Sequence, residues 1–305
     1  MKRIAQFTNL KFACRYLSIL FSFSILFAQI ASGQDATATE KDTRPVRNLF
    51  ESTLLIDNQT AVVPIKGTFQ FDIQHRFGTW DNGYDDFYGV FAPSNIRLGL
   101  NLVPVDKLQL GFGFAKDNRL LDFSAKYALL QQGRQGGSPV TLTYLVNMAV
   151  DSREEAKSGF KETTDKFSYF HQVMVARKLT DAFSLQASLN LSYFNYVKPE
   201  IGIEGEYIGT RDNNVFSTSI LGRYKLTTAT GLIANFDIPL SDSEFADLQP
   251  NISFGVEFVS SSHAFQIFIG NYKWIVPQYN HFYNENSFGD NQILIGFNMT
   301  RLWNY

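Results

Sequence analysis

The chain has 305 residues, a single cysteine and a formal charge of −2, and 15% of it is aromatic, with 29 Phe and 14 Tyr. The lone Cys14 excludes a disulfide framework and a thiolate metal site, and the mild acidity argues against a nucleic-acid partner. So much ring surface suits a protein that meets lipid better than an exported soluble one.

In chain order, residues 1–33 read as a signal peptide. Lys2, Arg3, Lys11 and Arg15 precede the apolar run "YLSILFSFSILFAQI", no acidic residue interrupts them, and Ala31 and Gly33 supply the small residues a peptidase prefers. The run falls short of the roughly 20 residues a spanning helix needs. Cleavage is expected after Gly33, and Cys14 lies too early to be a lipid-attachment site. Residues 34–65, with "RNLFESTLLIDNQTAVVPI", form an N-terminal periplasmic segment, either a short helix or a plug entering a barrel from below.

From residue 66 to 305 the period is two. In "TFQFDIQHRF" Phe69, Phe71, Ile73 and Phe77 alternate with Gln70, Asp72, Gln74 and Arg76, and the same pattern recurs in "NIRLGLNL", "KLQLGFGFA" and "FSLQASLNLSYF". Further strands are expected at 119–130, 139–150, 167–178, 214–226, 229–239, 251–260, 263–272 and 290–303, with either face of 167–177 able to serve as the apolar one. The expected fold class is all-β: a transmembrane antiparallel β-barrel of about twelve strands, most about the 9 to 11 residues a tilted membrane strand needs.

The connections support this. Long ones such as "GTWDNGYDDFYGVFAP" and "YKWIVPQYNHFYNENSFG" alternate with short ones such as "VPVD", "LTDA" and "SSSH"; the short "AKDN" is the exception at the long-loop end. Tight periplasmic turns and long surface loops are the layout of outer-membrane barrels. A soluble barrel would carry its apolar face inward and show water more Lys and Glu than these strands hold; Gly, Ser, Gln and Asn suit a lumen.

The stretches "FESTLLIDNQT", "HRFG", "FYG", "IRLGLNL" and "KYALLQQ" resemble a family of outer-membrane β-barrel proteins of about this chain's length in Gram-negative bacteria, the DUF5777-like barrels. The resemblance is best in the first half of the mature chain. It implies the fold and the location and adds no reaction.

Catalytic signatures are absent, and no enzyme activity is expected. The four histidines stand in no hydrolase or zinc motif; His281, near Glu285 and Asp290, is the one candidate by position, with a solvated loop histidine as the plainer reading. "GFGF" at 111–114 lacks the helix of a dinucleotide loop, so its glycines make room for bulky lumen side chains. Asp81, Asp85 and Asp86 lack a complete calcium-loop motif, so no metal and no cofactor are expected.

The candidate site residues are the lumen charges Asp72, Arg76, Arg97, Asp122 and Lys126, placed inward because charge on the lipid face costs about 2 to 4 kcal/mol per Arg or Lys near the midplane. They can pair and close the lumen or line a water-filled constriction. At the C-terminus, "QILIGFNMTRLWNY" reads as the closing strand, with Arg301 snorkelling and with Trp303 and Tyr305 at the periplasmic interface, an aromatic ending of the kind barrel-assembly machinery recognises. Outer-membrane lipid and that machinery are the expected partners. Three functions are ranked: a porin-like narrow channel or small-solute binding barrel; an accessory barrel whose "NYKWIVPQYNHFYNENSF" docks a partner protein; and, last, an outer-membrane hydrolase.

Overall fold

The alternation from Thr68 onward becomes twelve antiparallel strands that close on themselves. The computed structural model describes residues 41–154, 159–201, 207–241 and 248–304, so the expected signal peptide, residues 34–40 and Tyr305 lie outside the described residues. A short hairpin of β1 (Leu54–Leu55) and β2 (Asn58–Gln59) precedes the barrel strands β3 (Thr68–Thr79), β4 (Asn95–Val105), β5 (Leu108–Ala115), β6 (Leu120–Leu130), β7 (Thr141–Asp151), β8 (Phe167–Lys178) and β9 (Phe183–Phe194). A second small pair, β10 (Glu200–Ile201) and β11 (Tyr207–Gly209), sits in the next loop. The ring then continues through β12 (Asn214–Lys225), β13 (Thr230–Pro239), β14 (Asn251–Val259), β15 (His263–Gly270) and β16 (Leu294–Asn304). Among the described residues one α-helix, α1 (Pro277–Tyr283), lies in the loop between β15 and β16.

Closure is made by β16 against β3, in a register that sets Trp303 opposite Phe69 and Asn304 opposite Thr68. No strand edge of the ring is left open, as lipid requires. Connections at one end are long (80–94, 152–166, 195–213, 240–250, 271–293) apart from 116–119, and those at the other are short, so the loop asymmetry expected from sequence is present.

Side chains sort as the pleat dictates. On β3 Gln70, Asp72, Gln74 and Arg76 are buried in the lumen, while on β4 to β6 Leu98, Phe112 and Phe123 lie outward, 42%, 39% and 45% exposed. Outward rings meet across strands: Phe112 stands opposite Phe123 with centroids 5.2 Å apart. Such a continuous apolar band is a lipid-facing surface and would aggregate in water.

The lumen departs from the expected polar wall in one sector. On β8 the inward residues Phe170, Met174 and Ala176 alternate with Ser168 and Gln172, all buried, a mixed face that explains why neither side of 167–177 reads as polar. With Leu145, Leu221, Ile233 and Phe268 they form the wall side of an apolar cluster whose other side is Leu49, Phe50, Leu55, Ile56 and Ala61 from the N-terminal segment. The expected alternative of a helix for that segment is not what its described part, 41–65, adopts: it enters the barrel as the β1–β2 hairpin.

Candidate functional site: a lumen filled from both ends

Both arms of the hairpin reach the lumen from the short-turn end. The incoming arm is tied to the 131–140 turn by Val46 N donating to Gln132 O at 2.7 Å and by Arg134 N donating to Arg44 O at 3.0 Å. Arg44 and Arg134 also hold Asp42, at 2.7 and 3.2 Å, and the Arg44 hydrogen bond keeps the Asp42 carboxyl well below the usual carboxylate range. The outgoing arm ends at Gly67, whose N–H donates to Val103 O at 2.9 Å before β3 begins.

Inside, wall side chains take up the hairpin's main chain. Gln266 accepts from Ile56 N at 2.9 Å and donates to Leu54 O at 2.8 Å. Gln186 does the same one arm further on, accepting from Ala61 N at 2.7 Å and donating to Gln59 O at 3.0 Å. Thr143 Oγ1 donates to Ala61 O at 2.8 Å and Asn298 Nδ2 to Ile56 O at 2.6 Å. These contacts satisfy main-chain groups that a two-residue strand pair leaves unpaired.

The turn between β1 and β2 is strained. Ile56 has φ +55°, a left-handed conformation that a β-branched residue rarely adopts and that costs on the order of 1–2 kcal/mol. Its N–H and carbonyl are gripped from the wall, and its side chain is fully buried among apolar neighbours, so the surroundings over-determine it.

The five lumen charges expected from sequence all lie buried on the inner face, but they do not form one network. Arg97 and Asp122 pair in two hydrogen bonds of 2.8 Å across β4 and β6. A Cβ at Gly113 would meet that guanidinium and that carboxylate, so this glycine of "GFGF" makes room for the pair. Asp72 is held by amides, Gln70 Nε2 at 2.7 Å and Asn101 Nδ2 at 2.6 Å. Arg76 and Lys126 turn instead to the hairpin. Arg76 Nη2 lies 3.1 Å from Asp57 Oδ1, its one ion pair among the described residues, with Phe268 under the guanidinium at 4.6 Å. Lys126 Nζ donates to Gln59 Oε1 at 3.0 Å and Thr60 O at 3.2 Å and makes no ion pair among the described residues.

Sequence reasoning missed a second wall pair, Arg223 Nε to Glu257 Oε2 at 2.5 Å. Both residues sit at inward positions of β12 and β14, so alternation could have found them. It also missed the hairpin's Asp57 and Asn58; Asn58 donates to Asn235 and Asp237 and accepts from Gln172.

From the long-loop end the segment carrying α1 folds into the mouth. Tyr272, Ile275, Val276, Tyr279, Asn280 and Phe282 are buried there, Gln278 Nε2 donates to Asn147 Oδ1 at 3.1 Å, and Asn280 Nδ2 donates to Asp57 at the hairpin tip. Two expectations are corrected by this. "NYKWIVPQYNHFYNENSF" is not laid out as an exposed docking surface, because its rings and amides are drawn inward to finish the lumen. His281 is not a solvated loop residue near Glu285 and Asp290: it is buried, stacked on Phe170 at 5.2 Å, with Nδ1 2.9 Å from Ser217 Oγ.

The remaining expected sites are peripheral. Trp303 lies outward at the short-turn end, packed on Phe69 at 5.6 Å and under the Arg301 guanidinium at 4.6 Å. In the 80–94 loop Asp86 accepts from Asn82 Nδ2 and from Gly89 N, which lowers its pKa, and no three of His, Cys, Asp and Glu cluster for a metal among the described residues. Between hairpin, wall and α1 segment a cavity of about 30 Å³ remains, lined by Asp57, Gln74, Arg97 and Asn147 among others. That is space for about two water molecules and no solute.

Comparison with known proteins adds the following. The sequence profile of the membrane-bound β-barrel domain DUF5777 matches residues 50–303. No curated relative matches the chain. Among solved structures, an outer membrane channel from Pseudomonas putida F1 superposes with a TM-score of 0.47 at 12% identity, over 79% of this chain and 97% of that one. The NanC porin gives 0.46 at 10% identity over 78% and 99%, and the KdgM porin 0.42 at 7% over 78% and 99%. Each is a likeness of shape alone.

Proposed function

The chain belongs to the family of membrane-bound β-barrel domains, DUF5777, and from that premise we propose that it is an outer-membrane channel whose lumen is shut by its own N-terminal hairpin and opens when that hairpin withdraws. The observation that carries the reading is topological. The hairpin enters and leaves by the same end of the barrel, held between the 131–140 turn and the start of β3, so it can leave as one piece without threading through the ring.

Three features support a removable part over a permanent filling. Much of the wall it covers is Gln, Asn, Ser and Thr, which water can solvate once the hairpin is gone. Its main chain meets the wall through separate side-chain hydrogen bonds from β7, β9, β15 and β16, each of which water can replace singly. Its tip holds Ile56 in a strained conformation that withdrawal would relax. The apolar cluster and the Arg76–Asp57 pair oppose withdrawal and set the closed state as the resting one.

A hydrolase would need substrate to reach the Ser217–His281 pair, and the burial of both side chains, 2% and 6% exposed, supports a packing role. The test of the channel is current through planar bilayers. The full chain should be mostly silent; a variant lacking 49–62, alone or with the α1 segment replaced by a short Gly-Ser link, should conduct steadily. Heat-modifiable, folded deletion variants that stay silent would overturn the proposal.

A further inference from the structure

We propose that the wall which holds the hairpin is a binding site for a polypeptide hairpin supplied in trans, occupied in the resting protein by the chain's own Leu49–Val62. The inference rests on the reading that the hairpin can withdraw. It goes beyond that reading by naming what the opened lumen takes: peptide, bound chiefly through its main chain.

The geometry points to main-chain recognition. Gln266 and Gln186 each present an amide that accepts from one hairpin N–H and donates to the carbonyl two positions earlier, Ile56 with Leu54 and Ala61 with Gln59. On the Ala61 arm that is the pairing a neighbouring parallel strand would offer, delivered here by a side chain; at Ile56, left-handed at φ +55°, the Gln266 amide grips the turn. Thr143, Asn298 and Lys126 add donors to the carbonyls of Ala61, Ile56 and Thr60. Every residue of a peptide other than proline carries these groups, so such contacts hold a hairpin with little regard to the side chains of its arms.

Two further features fit a polypeptide better than a small solute. The clamps are spread over β6, β7, β9, β15 and β16, so they address several consecutive residues of a chain. Between them lies the apolar sector of Leu145, Phe170, Met174 and Phe268, which now receives Leu55 and Ile56 and would receive other apolar side chains equally. Side-chain hydrogen bonds and ion pairs from the wall and the α1 segment fall on Thr53, Asp57, Asn58 and Gln59, through Gln70, Arg76 with Asn280, the Asn235, Asp237 and Gln172 group, and Lys126; this sets a preference around the turn and leaves the outer parts of the arms general.

The experiment uses the folded variant lacking 49–62 in detergent and two labelled probes, a peptide with the sequence Leu49–Val62 and a scrambled peptide of the same composition, with binding read by fluorescence anisotropy. Both should bind with affinities within about tenfold of each other, since hydrogen bonds to the main chain dominate. The intact protein, its site filled, should bind neither. Gln186→Leu with Gln266→Leu should weaken both peptides by about tenfold or more; if the double variant loses its heat-modifiable mobility, each single variant serves. Binding of the native sequence alone would show a socket specific to this hairpin and overturn the proposal, as would a double variant that binds both peptides undiminished. The same deletion variant in a bilayer, with the α1 segment present and with it replaced by the Gly-Ser link, separates the two claims: binding with no conduction in either form fails the channel reading, and conduction without binding fails this one.

Discussion

Replacing Asp57 by Ala should turn a resting, closed barrel into one that opens often. Asp57 is the carboxylate that answers Arg76, whose side chain is fully buried, and it also accepts from Asn280 of the α1 segment, so the substitution unties the mouth from the hairpin tip as well. Removing one partner of a buried ion pair costs about 3–5 kcal/mol when the other charge stays trapped. Here the charge is trapped only while the hairpin is seated, because withdrawal lets water reach the guanidinium. Arg76 also keeps its hydrogen bonds to Asn298 Oδ1 and His75 O, at 3.0 and 2.9 Å, which lowers the penalty to about 2–3 kcal/mol borne by the closed state. At 1.4 kcal/mol per tenfold, the open-to-closed ratio should rise roughly 30- to 150-fold. Single-channel recording reads this directly: openings become frequent while the conductance of each stays that of the hairpin-deleted barrel. An Asp57→Ala protein that keeps its heat-modifiable fold and its rare openings would show that the Arg76–Asp57 pair does not hold the hairpin closed.

Other outcomes follow from the same geometry. Lys126→Gln removes a cation that donates to Gln59 and Thr60 without a carboxylate of its own; it should loosen the hairpin by only about 1 kcal/mol, seen as a severalfold rise in openings. Gly113→Ala puts a methyl against the Arg97–Asp122 pair and should lower resistance to urea by about 1–3 kcal/mol, followed by loss of the compact electrophoretic form. Glu257→Ala strands the buried Arg223 and should cost about 3 kcal/mol in the same assay, while Arg223→Met with Glu257→Leu should recover most of it. Trp303→Ala removes the ring packed between Phe69 and Arg301 at the barrel seam; slower assembly into liposomes with an unchanged conductance is expected.

The barrel was legible because membrane strands obey one rule repeated twelve times. β8 and β9 fall at the limits expected from alternation and turn residues, 167–178 and 183–194, and the inward placement of Asp72, Arg76, Arg97, Asp122 and Lys126 follows from the same period. What fills the barrel was not legible, and the reason is distance along the chain. Gln186 and Gln266 read as ordinary lumen residues, yet their partners lie 125 and 210 positions away, and two-residue strands such as β1 and β2 carry no period at all. The loop around α1 misled for a related reason: its Asn and aromatic content looks like a surface, and only the empty mouth of a wide barrel explains why it turns inward. His281 shows the same effect, near Glu285 and Asp290 in sequence and beside Ser217 in space.

If the lumen is shut by a part that can leave, locking that part in place must abolish the openings. The chain's one cysteine, Cys14, precedes the expected cleavage point, so Ala61→Cys with Thr143→Cys, at neighbours joined by a 2.8 Å hydrogen bond, introduces a single pair that ties hairpin to wall. Conductance is recorded before and after reduction in the bilayer, on a background of Asp57→Ala. Silence is expected while the disulfide holds and frequent openings once it is reduced. Currents that ignore the lock would contradict it.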